Sequence, residues 1–406
     1  MALTDLTNWI DEHTGPNYIW YAKRLSGNDT LANGTHQAGP YIPKEFLFNI
    51  FPSLNRPNDK NPDKWFDLHI DSHPDVRNVR AVWYNNKQRG GTRNETRLTG
   101  FGGRTSALLD PENTGSLAVF AFLREVGSDA SICHVWVCEH ETEDDLVEDR
   151  IGPVEPSKDR IWSVTDLEMF PRLPKQRQSC WLEANEIPPS WLVKFPSGAE
   201  IVRKTVEMRS GQGIPIDQRL MKRSACEYEI FLSLEEAIEL PFIQQGFQTL
   251  KEFIIRAQSI VQRRKARAGR SLELHIREIF LEEGLIEGTD FQYQPQSEEG
   301  KRPDFIFPSQ AAYQNNDFPP SKLRMLAVKA TCKDRWRQIL NEAERIPQKH
   351  LLTLQEGISE NQFREMTEAR VQLVVPTPLK DSYAKSIQPH LQTLESFIGD
   401  VRLLTL

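Results

Sequence analysis

Apolar residues in the first 150 positions come in short runs parted by turn-forming residues: "NYIWYAKRL" (17–25), "VRAVWYNN" (79–86), "GSLAVFAFL" (115–123) and "ICHVWVCE" (132–139). Runs of this length with loops between them predict mostly β structure. From about residue 139 to 178, acids and prolines accumulate and apolar periodicity fades, which predicts an exposed connection with a boundary near Pro174. Beyond it, "EYEIFLSLEEAIELPFI" (227–243) and "TLKEFIIRAQSIVQRRKAR" (249–267) repeat apolar residues at three-and-four spacing, the period of a helix. "SLELHIREIFLEEGL" (271–285) predicts a further helix, with Leu272, Ile276, Ile279 and Phe280 on one face and Ser271 as its cap. Then strands ("PDFIFP", "LRMLAVKAT", "HLLTL", "VQLVVP") alternate with helices ("RWRQILNEAERI", "SENQFREMTEA"), the pattern of a mixed or parallel sheet covered by helices. The chain therefore reads as multi-domain α+β, with a mostly-β domain over 1–173, a linker over 174–182 and an α/β domain over 183–406.

A length of 406 residues is too great for one ordinary core, and a hydrophobic content of 38% can build two. There is no run of eighteen apolar residues, and the start "MALTDLTNWIDEHTG" is acidic where a secretion signal is basic, so the expected location is the cytoplasm. Five cysteines fit reduced thiols better than a disulfide framework. "CHVWVCEH" offers Cys133, His134, Cys138 and His140, but its apolar composition favours a buried strand over zinc, and no second pair follows at finger spacing. The net charge of −7 excludes indiscriminate coating of nucleic acid. Local basic segments point the other way. They are "RAQSIVQRRKARAGR" (256–270), "NNKQRGGTRNETR" (85–97) and "KDRWRQ" (333–338), and three of them in an acidic chain indicate a polyanionic partner.

The chemistry concentrates around "KRPDFIFPS" (301–309), where Asp304 stands at the lip of an apolar run. An unpaired carboxylate there costs several kcal/mol, so a partner is required. If the next strand pairs with this one, it brings Lys329, itself in the apolar context Leu326-Ala327-Val328, and Glu342 follows thirteen residues later on the next helix. Two carboxylates and an ammonium at one sheet edge are the composition of a magnesium-dependent phosphodiesterase. Magnesium takes hard oxygen ligands, offsets charge growing on the phosphate, and leaves a lysine to stabilise the developing anion.

The spacing PD-x24-K-x12-E, with Glu273 on a helix upstream, resembles a rearranged PD-(D/E)xK nuclease signature, in which the acid ordinarily two residues before the lysine is replaced here by Ala327 and restored by Glu342. "RRKARAGRSLELH", "KRPDFIFPS", "LRMLAVKATCKDRWRQILNEA" and "HLLTLQEGIS", with "AKRLSGNDT", "DPENTG" and "KFPSG" earlier, resemble segments of the EcoRII-like type IIE restriction endonucleases, and the matches run from near residue 20 to near 376. The resemblance implies a homodimer cutting double-stranded DNA at 5′-CCWGG with Mg2+. A C-terminal restriction-endonuclease-like fold would cut, and an N-terminal DNA-binding pseudobarrel would bind a second copy of the site as effector. A cognate cytosine methyltransferase would protect host DNA without binding the chain. Carried over, Asp304 and Glu342 are the metal carboxylates, Lys329 the catalytic lysine, with Lys333 as its competitor, Glu273 an upstream acid, and Tyr313 a tyrosine near the centre. Lys333, Asp334 and Arg335 would read the CC:GG pairs, since Arg and Lys donate to guanine and Asp accepts from cytosine. Arg263, Arg264 and Arg267 would contact phosphates. Lys23, Arg24, His36, Tyr41, Lys87, Arg89, Arg93 and Arg97 are the effector-DNA candidates. Two other readings compete: a DNA-binding regulator whose nuclease-like half is inert, and a recombinase-like enzyme with Tyr313 as covalent nucleophile.

Overall fold

The computed structural model describes residues 3–34, 39–125, 127–163, 180–211, 213–333 and 335–404. The chain is mixed α+β and divides into two compact units. The first contains Met1–Leu173 together with Gln355–Glu365 and Leu379–Pro389; the second contains Pro174–Leu354, Met366–Pro378 and His390–Leu406. The second half of the chain thus does not form one continuous body.

In the first unit the elements run α1 (Leu3–Glu12), β1 (Tyr18–Arg24), α2 (Lys44–Ile50), β2 (Asp63–Ile70), β3 (Asp75–Tyr84), β4 (Glu95–Thr99), β5 (Leu117–Leu123), β6 (Ile132–Val137), α3 (Glu141–Ile151) and β7 (Asp159–Ser163). The strands form one sheet ordered β4-β3-β2-β6-β5-β1-β7, and only the β2–β6 pair is parallel. Alternation along the strands sends Tyr21, Phe66, Phe120 and Phe122 into a core with α2, while Trp20, Val119 and Trp136 face a second cluster with Trp9 of α1. The acidic stretch expected to be an exposed connection is partly folded. Its "ETEDDLVEDRI" is α3, which Arg24 anchors by reaching Asp144 at 2.6 Å, Glu148 at 2.9 Å and the Val154 carbonyl at 2.7 Å. Residues 164–179 of that stretch lie outside the described residues.

The second unit begins with α4 (Pro189–Val193), α5 (Gly198–Met208), α6 (Ile216–Gln245) and α7 (Leu250–Glu282). Its sheet carries β8 (Gln292–Tyr293), β9 (Phe305–Phe307), β10 (Arg324–Lys329), β11 (Lys349–Thr353) and β12 (Val371–Val374), with α8 (Gln310–Gln314) after β9 and α10 (Leu394–Leu404) last; α9 (Glu360–Glu368) lies between β11 and β12 in sequence, and most of it belongs to the first unit. The order is β12-β11-β10-β9-β8, parallel across β10, β11 and β12 and antiparallel across β8, β9 and β10. This is the mixed sheet that the alternation of elements implies.

Two expectations are corrected here. Ser271 does not cap a helix: α7 runs unbroken through it, and its hydroxyl donates to Glu227 instead. A row of ion pairs explains the continuity, because Arg256 and Arg263 meet Glu239, Arg264 meets Glu235 and Arg267 meets Glu227, all on α6. Nor are all the thiols reduced: Cys180 and Cys226 are bonded within a small apolar cluster, while Cys133, Cys138 and Cys332 are free and buried. Among the described residues, no helix is long and apolar enough to cross a membrane.

The first unit holds its late segments through close backbone approach. The Gly27 N–H donates to the Glu356 carbonyl at 2.5 Å, and the Tyr383 hydroxyl donates to the Gln355 carbonyl at 2.8 Å. A Cβ on Gly27 would lie 2.1 Å from the Ser382 carbonyl oxygen. Overpacking at such a site costs about 1–3 kcal/mol. Gly27→Ala is therefore expected to lower Tm and to speed hydrogen exchange across Gln355–Glu365 and Leu379–Pro389; unchanged exchange there would show that the seat is not tight.

Candidate active site

The ladder between β9 and β10 ends at the Phe305–Leu326 pair, one residue short of Asp304. There the Asp304 carboxylate continues the pairing with its side chain: Oδ2 accepts the Val328 N–H at 2.7 Å. The Lys329 ammonium stands 3.7 Å from the same oxygen. The charge at the lip of the apolar run thus has both a backbone donor and a cation, and the sheet edge fixes where it points. Burial pushes the Asp304 carboxyl above its ordinary value, and Lys329 and the Val328 N–H oppose that shift.

Glu342 follows a 3-10 turn over Arg335–Asn341, where a helix was expected. Burial, and then the charge of Asp304, push the Glu342 carboxyl up to about 7, with Lys329 and Lys349 pulling it back. Glu273, projecting from α7, is raised first by burial and next by Asp304. Its Oε2 accepts from the Tyr293 hydroxyl and from Gln294 Nε2, both at 3.0 Å. Glu273, Asp304, Lys329 and Glu342, scattered over seventy residues of sequence, therefore share one electrostatic neighbourhood. Three acids around one lysine leave an excess of negative charge that an oxygen-loving dication would neutralise.

Supporting residues escaped the sequence reading. Gln294 sits at φ +47, a region costly for a side-chain-bearing residue, and it donates its N–H to the Asp304 carbonyl at 2.8 Å while its amide side chain holds Glu273. Lys349 is buried, and its ammonium donates to the carbonyls of Glu342 at 2.5 Å and Ala343 at 2.7 Å. Ala343 itself has φ +46, so the lysine tethers a strained turn beside the carboxylate. Burial lowers the Lys349 pKa to about 8. The only signal of its role in sequence is a lysine opening the apolar strand "KHLLT".

Tyr313 does not present its hydroxyl as a nucleophile. The ring is 3% exposed, the hydroxyl donates to Glu298, and burial and that carboxylate raise its pKa. Lys333 and Arg335 come four and six residues after β10 and are partly exposed; Asp334, like His36, lies outside the described residues. Arg263, Arg264 and Arg267 are committed to the α6 glutamates, so a phosphate would have to compete with buried or half-buried ion pairs.

In the first unit Arg24, expected to face DNA, is 7% exposed and bound to α3. Lys23 pairs with Asp29 at 2.7 Å and donates to the Tyr41 carbonyl, while Arg97 donates to the Gly39 carbonyl at 2.8 Å; Tyr41 is 41% exposed. Lys23, Tyr41 and Arg97 thus form one group. Lys87, Arg89 and Arg93 lie on the β3–β4 connection, with Lys87 and Arg89 exposed and Arg93 against the Tyr84 ring.

A family model described as "Restriction endonuclease EcoRII, N-terminal" matches residues 14–166, and one described as "EcoRII C terminal" matches residues 231–398. The type II restriction enzyme EcoRII of Escherichia coli is 42% identical over 410 residues, spanning 99% of this chain and 98% of its own. Among solved structures, metal-depleted Ecl18kI in complex with uncleaved DNA gives a TM-score of 0.41 at 20% identity, over 52% of this chain and 80% of its own. A B3 domain of the UbaLAI restriction endonuclease with cognate DNA gives 0.25 at 16%, over 39% and 99%. The chain belongs to the EcoRII family of type II restriction endonucleases, and is a site-specific deoxyribonuclease.

Proposed function

We propose that this enzyme cuts double-stranded DNA at 5′-CCWGG with Mg2+, as a homodimer, and that its N-terminal domain is a DNA-binding pseudobarrel that holds a second copy of the site as effector. The observation that supports the reading is the Asp304–Lys329 pair at the end of β10, with Glu342 near enough for the Asp304 charge to raise its carboxyl. The donor set suits magnesium, since it is all oxygen and its acids repel one another until a cation arrives. Asp304 and Glu342 would hold the ion, which when bound neutralises charge growing on the scissile phosphate. Lys329, held at the sheet edge by Asp304, points its ammonium at the same phosphate and stabilises the developing anion. Glu273 stays beside Asp304 on its Tyr293 and Gln294 hydrogen bonds and adds to the negative field.

Lys333, Asp334 and Arg335 follow the catalytic strand in sequence, so major-groove reading of the CC:GG pairs is coupled to the placement of Lys329. Between them the chain passes through only Ala330, Thr331 and Cys332. Dimerisation is supported by the tip of the α6–α7 hairpin, where Phe242, Ile243, Leu250, Phe253 and Ile255 are between 46% and 73% exposed. In the N-terminal domain, Lys23, Tyr41 and Arg97 with Lys87, Arg89 and Arg93 are the effector contacts.

Three outcomes test the reading. Unmethylated DNA carrying several CCWGG sites should be cut in Mg2+, and Lys329→Ala should lower the rate by about 10²- to 10³-fold with DNA binding retained; intact DNA with the natural enzyme would refute the assignment. The raised Glu342 carboxyl sets a pH dependence. Below about 7 it is protonated and neutral, so metal affinity of the DNA-free enzyme should rise as pH increases through about 7. Glu342→Gln should flatten that rise, and a pH-independent affinity in the natural enzyme would contradict the shared site. A fragment starting near residue 180 should cut single-site DNA faster than the full chain, and equal rates for both on single-site and multi-site DNA would remove the effector role.

A further inference from the structure

At the end of α1, in the first unit, three side chains from separate segments converge. His13 follows α1, Asp71 follows β2, and His134 lies on β6. One ligand atom from each lies within 4.8 Å of the others. His134 Nδ1 is 2.9 Å from Asp71 Oδ2, and the His13 and His134 rings stand 4.3 Å apart between centroids. His69, directly across the parallel β2–β6 pair from His134, has its ring 5.0 Å from the His134 ring.

Two outer contacts orient the group. His13 Nδ1 meets the Trp9 carbonyl oxygen at 2.7 Å, which requires a proton on Nδ1 and leaves Nε2 with its lone pair. The Trp9 indole N–H donates to Asp71 Oδ2 at 2.7 Å. An imidazole fixed through its other nitrogen by a carbonyl, and a carboxylate steadied by a second donor, are the outer-shell pattern of a metal ligand set. His13 is 6% exposed while Asp71 is exposed, so the group is anchored on one side and open on the other.

We propose that His13, Asp71 and His134 bind a divalent cation of the zinc class, with His69 or water in the fourth place, and that the ion clamps the end of α1 to the neighbouring strands β2 and β6. Two neutral imidazoles and one carboxylate suit zinc, cobalt or nickel and do not suit magnesium, which prefers oxygen. Metal–ligand bonds of about 2.0–2.1 Å in a tetrahedron place ligand atoms about 3.4 Å apart, so closure from 4.8 Å needs shifts of about 1 Å in side chains, not in strands. The donor set separates this site from the all-oxygen one at Asp304, and the inference does not depend on the cleavage mechanism.

The test uses the full chain stripped with a chelator, reloaded with Zn2+ in excess Mg2+, and desalted before metal analysis; Co2+ serves as the optical probe. One equivalent of zinc per chain should remain, Co2+ should give the strong visible bands of four-coordination, and zinc should raise Tm. His13→Gln and His134→Gln should lose the equivalent and the bands, while Asp304→Asn keeps both. Retention of no zinc by the natural chain would overturn the proposal, whatever the variants do. Equal zinc in the natural chain and in a folded His13→Gln/His134→Gln double variant would overturn it too, placing the ion elsewhere.

Discussion

The sheet of the second unit turns on one carboxylate oxygen. Oδ2 of Asp304 takes the backbone N–H of Val328 where the strand ladder runs out, and faces the ammonium of Lys329. A buried acid there would be costly if unpaired. Paired in this way it converts sheet register into chemical geometry, since sliding β9 by one residue against β10 would turn Asp304 to the other face, away from the Val328 N–H and Lys329. The aromatic packing of Phe305 and Phe307 against Phe280 and Phe291 resists that slip.

Like charges then set the site's character. Glu273 and Glu342 are each held near Asp304 by groups outside the acid cluster: Tyr293 and Gln294 for the first, and the Lys349 tether on the neighbouring carbonyls for the second. Rigid helices and strained turns keep together carboxyls that would separate in a looser fold. The long α7 presents Glu273 because its basic half is locked to α6 by buried glutamates, so the densest cluster of positive charge in the sequence builds the scaffold.

Much of this was legible in the sequence, for identifiable reasons. An aspartate at the mouth of "DFIF" and a lysine inside "LAVK" break the apolar pattern and demand each other, and the antiparallel β9–β10 pair joins them. Glu342 was legible only by spacing, because the 3-10 turn that carries it has no clear helical period. Gln294 and Tyr293 left no mark, and Lys349 only that of a lysine opening an apolar strand, since their roles come from backbone conformation and from partners that only folding brings near. Charge counting did not foresee the carboxylate partners of Arg24 and the α7 arginines: a basic run looks the same whether its partners are phosphates or glutamates far along the chain. The continuity of α7 through Ser271 was hidden for the same reason, its hydroxyl partner being Glu227 on another helix. Nothing in local pattern foretold that Gln355–Glu365 and Leu379–Pro389 would fold with the N-terminal unit.

The central proposal is that Asp304 and Glu342, which share one electrostatic neighbourhood, bind a dication between them. Anomalous diffraction from crystals of the enzyme with its DNA and Mn2+ in place of Mg2+ tests it most directly. The account predicts an ion coordinated by oxygens of both carboxylates next to the Lys329 ammonium. An ion bound by neither, or by only one with the other turned away, would contradict it.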